Sequence, residues 1–286
     1  MDVSVRAPQR TGRTTPVLRV VDTSQLLLHE EVDAARVSRL SHALRREGVL
    51  RNPPIAAGLA DGRAMVLDGA NRVTALAALG VRRAVVQVVD YGDPGVTLGT
   101  WRHYVREPSA RPGAVLRDRA AALPGSWVGV RAEHGDGDAH LEAGRAAAVI
   151  VTRHASILIG GGALPELAAR LRQLVALYRD QAEFYRVETG NFAALAAEYG
   201  PGSLVVFPRF SKDTVMRLAL GADFLPAGIT RHGIQGRVLR LNTPLAWLSE
   251  AGAAAAKQSE LDAMVQRRYL DHGVRYYSES TFLFDE

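Results

Sequence analysis

The segment Ala64 to Gly80, AMVLDGANRVTALAALG, sets the narrowest limit on what the chain around it can become. Met65, Val66 and Leu67 form an apolar run that ends in Asp68-Gly69. From Ala70 onward Val73, Leu76, Ala77 and Leu79 recur at helical spacing until Gly80. The pattern predicts a strand, a tight turn and a helix. At such a junction the first helical amides lack intrahelical partners and point outward at the positive end of the helix dipole, which suits a phosphate. Arg72, in the first turn, adds a charged fork beside them. A structural role suits the same residues, with Asp68 as N-cap, Gly69 as turn and Arg72 solvated, because one glycine is far less specific than a full glycine-rich loop.

The flanking sequence extends this unit. Val17 to Val21 reads as a strand, and Asp33 as the N-cap of a helix over Ala34 to Glu47, with Val37, Leu40 and Leu44 as its buried stripe and Gly48 as its stop. Asn52-Pro53-Pro54 forces an extended lead-in to a strand at Ile55 to Ala57. Asp61-Gly62 then turns it into a hairpin with Ala64 to Leu67, and a last strand covers Ala84 to Val89.

A chain of 286 residues, 47% hydrophobic and 23% charged, has the composition of a soluble globular protein of one large or two ordinary domains. The formal charge of +5 permits a polyanionic partner such as DNA without demanding one. With no cysteine, disulfides, thiol nucleophiles and cysteine metal sites are excluded, which fits a cytoplasmic location. The polar start MDVSVRAPQRTGRTTP lacks the apolar core of a signal peptide. No apolar run approaches the ~18 residues of a membrane span, so neither export nor a membrane is expected.

The remainder reads as a mixed second region. Val115 to Leu123 is a short helix, Trp127 to Arg131 and Ala147 to Thr152 are strands, and His134 to His140 is a hairpin loop. Leu164 to Phe184 is a long amphipathic helix whose Arg170, Arg172 and Arg179 form a solvated face. A helix at Phe192 to Tyr199, a strand at Leu204 to Phe207, a helix at Lys212 to Leu220 capped by Ser211 and a terminal helix ending near Tyr269 follow. Alternation predicts a strand at Arg237 to Leu241, and Tyr276 to Phe284 reads as a closing strand. The class is α+β (mixed α/β): a loose arm at 1–16, an N-terminal domain at 17–105 and a mixed α/β C-terminal domain at 106–286.

The N-terminal arrangement resembles the ParB/sulfiredoxin fold, whose members place a nucleotide or phosphate against the turn occupied here by Asp68 to Arg72. Leu28-His29-Glu30, Asn52-Pro53, Val66 to Arg72, Gly99 to His103, Leu225 to His232, Gly236-Arg237 and Leu241 to Leu248 together resemble the free L-serine kinases of that fold. The resemblance is nearer to the branch serving staphyloferrin B biosynthesis than to the archaeal branch.

It implies transfer of a phosphoryl group from ATP or ADP, with Mg2+, to the hydroxyl of free L-serine. The product, O-phospho-L-serine, would feed 2,3-diaminopropionate synthesis for a siderophore or peptide natural product. Glu30 aligns with the family's catalytic base, and Glu31 does not. Asp68 is assigned to catalysis and to the metal, Asn52, Gly69, Ala70, Asn71 and Arg72 to the nucleotide phosphates, and Trp101, Arg231 and His232 to the substrate. Relatives commonly carry histidine where this chain has Asn71, which donates a hydrogen bond but no charge. A threonine kinase, differing by one methyl group in the acceptor, and a ParB-like DNA-binding regulator are the alternatives.

Overall fold

The computed structural model describes residues 15–107, 114–123, 128–131, 137–160, 162–164 and 166–277. Its contacts divide the chain into two units. One comprises 1–27, 34–96 and 234–286, and the other 28–33 and 97–233. This differs from a sequential division near residue 105, since a six-residue insert carrying Glu30 joins the second unit and the C-terminal segment returns to the first.

The first unit is built on a five-stranded sheet ordered Val17–Asp22, Arg83–Val89, Ile55–Gly58, Ala64–Asp68, Leu26–Leu27. The expected hairpin is present, with Ile55–Gly58 antiparallel to Ala64–Asp68. Ile55, Ala56, Ala57, Met65, Val66 and Leu67 are all buried, which is why these strands read as continuous apolar runs rather than as alternation. Helix Ala34–Glu47 contacts helix Ala70–Ala78, which buries Val73, Ala75 and Leu76. Helix Ala254–Leu270 lies on the edge strand Val17–Asp22, where Gln258 accepts from the Val20 N–H at 2.9 Å and donates to the Leu18 carbonyl at 3.1 Å.

The second unit holds a six-stranded sheet ordered Phe184–Val187, Arg102–Arg106, Gly202–Val206, Ala146–Val151, Ser156–Gly160, Val128–Arg131, antiparallel throughout. Helix Glu166–Arg179 buries Ala168, Leu171, Leu174, Val175 and Tyr178. Gly202 is required by close approach, because a Cβ there would collide with the Val105 carbonyl and the Tyr104 ring.

Several local expectations are corrected. The long helix ends at Arg179 rather than Phe184, where the Gln181 and Ala182 amides turn back onto Tyr178 and the chain continues as strand Phe184–Val187. Residues Gly137–Glu142 form a helix instead of part of a hairpin loop. Arg237 to Leu241 is not a strand: Arg240 has φ +54°, and the Val238 and Arg240 amides donate to the side chains of Gln87 and Asn52, so no neighbouring strand receives them. The N-cap of helix Ala70–Ala78 is Gly69, at φ +98°, and the Asp68 side chain is used elsewhere. Tyr276 and Tyr277 lie outside regular structure. Residues 1–14, 127, 134–136 and 278–284, on which the arm, part of a strand, part of the loop and the closing strand were expected, lie outside the described residues.

Candidate functional site

The first unit places Asp68 at the end of a hairpin strand and Gly69 in the left-handed region, from which helix Ala70–Ala78 starts with the Val73 N–H donating to the Gly69 carbonyl at 3.0 Å. The left-handed turn favours glycine. The Arg72 side chain folds back over it, so close that a Cβ on Gly69 would lie 3.0 Å from the guanidinium.

Arg72 donates to the carbonyls of Asn52 and Pro53 at 2.8 and 3.2 Å and to Asp68 Oδ2 at 3.0 Å. It thereby ties the Asn52-Pro53 lead-in to the helix start. Arg237 also donates to Asp68 Oδ2. Partial burial works against ionisation of Asp68, but the two guanidinium groups outweigh it and hold the carboxyl below its ordinary range. Two cations around one carboxylate leave the cluster with excess positive charge, which suits phosphate oxygens.

The segment carrying Arg237 is strapped down by two amide side chains. Gln87, buried in strand Arg83–Val89, donates to the Gly236 carbonyl at 3.0 Å and accepts from the Val238 N–H at 2.9 Å. Asn52 Oδ1 accepts from the Arg240 N–H at 2.8 Å. Asn52, Asp68, Gly69, Ala70, Asn71 and Arg72 are thus brought together, and Arg237 joins them. Although part of the quoted Gly236-Arg237 motif, Arg237 was not among the sequence-based site residues.

The second unit places Glu30 beside the segment Leu225 to Thr230. Two backbone bonds align them, the Leu225 N–H to the His29 carbonyl at 2.9 Å and the Glu31 N–H to the Leu225 carbonyl at 2.7 Å. Glu30 Oε2 accepts from the Gly228 N–H at 2.8 Å, and Oε1 accepts from the Thr230 N–H and hydroxyl, both at 2.6 Å. Because the Thr230 hydroxyl gives its proton to Glu30, it accepts at the same oxygen from His29 Nε2, 2.8 Å away. Glu31 pairs instead with Arg172 and Arg179 at 3.7 and 3.3 Å, so these two arginines are not simply a solvated face.

Trp101, half-buried, donates its backbone N–H to the Ile229 carbonyl at 2.8 Å, and the Arg231 guanidinium lies 4.9 Å from the centre of its ring. Arg231 also pairs with Glu188 at 2.7 Å. The His232 ring meets His29 edge-on at 5.3 Å. Glu30, Trp101, Arg231 and His232 therefore share one unit. Sequence reasoning had no local signal for Gly228 and Thr230 as the partners of Glu30, beyond their place in the Leu225 to His232 motif.

No family model matches the chain. Among proteins of known activity, it is 23% identical over 245 residues to the ATP-dependent L-serine kinase SbnI of Staphylococcus aureus, across 82% of this chain and 84% of that one. It is 36% identical over 87 residues to the ATP-dependent L-serine kinase of Staphylothermus marinus, a match spanning 30% of this chain and 34% of the relative. Among solved structures, C-terminally truncated SbnI superimposes with a TM-score of 0.67 at 22% identity, covering 90% of this chain and 97% of that structure. A free serine kinase in complex with AMP gives 0.70 at 18% identity, with coverage of 84% and 98%.

This is the fold of the free serine kinases.

A variant of free serine kinase with bound ADP gives the same TM-score of 0.70. The coverage of these serine kinases reaches both units of the present chain, so the likeness extends beyond the Asp68 to Arg72 turn to the second unit that carries Glu30.

Proposed function

We propose that this protein is an amino-acid kinase that transfers the γ-phosphoryl group of ATP to the hydroxyl of free L-serine, giving O-phospho-L-serine and ADP. The observation that carries the reading is Glu30, a half-buried carboxylate oriented by three donors in a chain that aligns over most of its length with an ATP-dependent L-serine kinase. Oε2 receives a single donor from Gly228, against two at Oε1, and is the oxygen assigned to accept the substrate proton. As the serine Oγ bonds to the γ-phosphorus, the bond from that phosphorus to the β–γ bridging oxygen breaks. ADP leaves with the electron pair and the hydroxyl proton passes to Glu30.

The helix-start amides of Gly69 to Arg72 and the guanidinium of Arg237 are assigned to the nucleotide phosphates. Arg72 holds the seat in shape through Asn52 and Pro53. Asn71 adds a neutral donor in place of the family's histidine. Both guanidinium groups converge on Asp68 Oδ2, so Oδ1 is the oxygen suited to a Mg2+ ion carried by the nucleotide, which typically binds through one or two carboxylates plus phosphates. When bound, Mg2+ would neutralise charge developing on the β- and γ-phosphate oxygens. Among the described residues no group of three or more acidic, histidine or cysteine side chains is arranged to hold a metal ion.

Arg231 and His232 are assigned to the substrate carboxylate, with Trp101 as the wall beneath Arg231. We place this reaction of free serine and ATP in the cytoplasm. Among the described residues no helix is long and apolar enough to cross a membrane. By resemblance, the product supplies 2,3-diaminopropionate and siderophore synthesis. The named relatives and structures are serine kinases, and neither the threonine-kinase nor the DNA-binding alternative draws support from them.

The test is incubation of the purified protein with Mg2+, L-serine and ATP, with ADP as a second donor, and detection of phosphoserine by mass spectrometry. Product with ATP that is lost in Glu30→Gln is expected. Absence of product with either donor, or full activity in Glu30→Gln, would sink the reading.

A further inference from the structure

His103 and Tyr178 lie in the interior of the second unit and have no part in the reaction as described above. His103 is fully buried on strand Arg102–Arg106, and Tyr178 is 2% exposed on helix Glu166–Arg179. Buried polar groups need partners, and each of these has one. His103 Nε2 lies 3.2 Å from the Gly228 carbonyl, and Nδ1 lies 2.7 Å from the Tyr178 hydroxyl.

The carbonyl can only accept, so Nε2 carries the hydrogen. A neutral imidazole has one N–H, so Nδ1 accepts from the Tyr178 hydroxyl. The direction of every bond is then set: Tyr178 donates to His103, His103 donates to Gly228, and the Gly228 N–H donates to Glu30 Oε2 at 2.8 Å. Burial keeps the imidazole neutral, lowering its pKa to about 4, with Arg186 and Arg179 opposing its charge and the Gly228 carbonyl partly favouring it. The rings of Phe184 and Phe207, each centred 4.9 Å away, hold the imidazole plane.

Gly228 is where such support is needed. It sits at φ +79°, a backbone conformation that L side chains rarely adopt, so the position favours the residue with the softest backbone. A soft residue that orients a general base must be fixed from outside, because a small displacement of a reacting group sharply lowers the rate.

We propose that His103 is a positioning residue for Glu30, acting through Gly228 and itself oriented by Tyr178. The inference rests on the assignment of Glu30 as the base. A purely structural role would lower stability and leave turnover intact. A positioning role lowers kcat while leaving the KM for ATP in place, and it is relieved by any side chain that restores the donor to Gly228.

Three substitutions separate these outcomes. Tyr178→Phe removes only the hydroxyl, His103→Leu removes both ring nitrogens, and His103→Gln places an amide N–H near the position of Nε2. Turnover at saturating ATP and serine should fall about five- to tenfold in His103→Leu, the scale of one lost buried hydrogen bond, and less in Tyr178→Phe. His103→Gln should recover most of it, and the KM for ATP should stay within about twofold of wild type. Nitrogen NMR of the full chain without substrate should find His103 neutral at pH 7 with its proton on Nε2.

Full kcat in a folded His103→Leu protein, no recovery in His103→Gln, or a proton on Nδ1 would each overturn the inference while leaving the kinase reading standing. If His103→Leu does not fold, full kcat in Tyr178→Phe decides against it in the same way. A wild-type protein that makes no phosphoserine would overturn both.

Discussion

Thr230 donates twice to the same oxygen of Glu30, through its backbone N–H and through its hydroxyl, each at 2.6 Å. The backbone donor survives any substitution and the hydroxyl does not, so the two contributions are separable. Thr230→Val, close in shape, should keep the fold and lower kcat for serine phosphorylation by about five- to tenfold. Thr230→Ser should stay near wild type. Steady-state kinetics of phosphoserine formation in the two variants is the check, and equal rates in both would remove the hydroxyl from the account.

Glu31, the neighbour of the assigned base, is bound to a different task. Its ion pairs with Arg172 and Arg179 are partly solvated, and such pairs contribute about 0–1 kcal/mol to stability. Glu31→Gln should keep kcat within about twofold, whereas Glu30→Gln should lose at least ~100-fold. Parallel assays of the two variants measure this, and comparable losses would mean that the base has been misassigned.

Asp68 makes stability depend on acid. Its folded-state pKa is held below the ordinary carboxylate value by Arg72 and Arg237, against the opposing effect of burial. The stabilisation is therefore fully present above the unfolded value near 4 and is lost as pH falls through the lower folded one. With the side chain more than a third exposed, solvent screening keeps the effect below ~1 kcal/mol. Thermal melts of wild type and Asp68→Asn between pH 6 and 3 should converge toward the acid end, and a constant gap would contradict the assignment.

His103 acts in a neighbouring and distinguishable window. The unfolded chain gains a proton near pH 6.5, whereas the folded protein resists it until about pH 4. Stability from this group is complete above about 6.5 and is lost between there and 4, on the order of 3 kcal/mol over the interval. His103→Gln should flatten this part of the profile. Denaturant titrations at pH 7, 5.5 and 4.5 would show it, and an unchanged slope in the variant would place the titrating group elsewhere.

Local periodicity made much of the fold legible. Helices Ala34–Glu47, Phe192–Tyr199 and Lys212–Gly221, and the hairpin Ile55–Gly58 with Ala64–Asp68, lie within a residue or two of where spacing, caps and turns predict them. Ser211 caps its helix as expected, accepting from the Thr214 N–H at 3.1 Å. These features depend on neighbours along the chain, and a single sequence records those directly. The alternation at Arg237 to Leu241 misled for the opposite reason. Its amides are claimed by Gln87 and Asn52, residues 151 and 188 positions away, which no local pattern encodes.

The sequence alone therefore determined the strand, turn and helix around Asp68 to Arg72 and the α+β class, and the resemblance of its His-Glu pair to the serine kinases made Glu30 the candidate base. Tertiary structure decided what those residues touch. It turned Arg72 toward the Asn52 and Pro53 carbonyls, brought Arg237 onto Asp68, and moved residues 28–33 out of the first unit so that Glu30 meets Gly228 and Thr230. The physical reason is one of range: helix and turn preferences act over a few residues, whereas the donors that orient Glu30 lie 198 and 200 positions away and reach it only when the chain has folded.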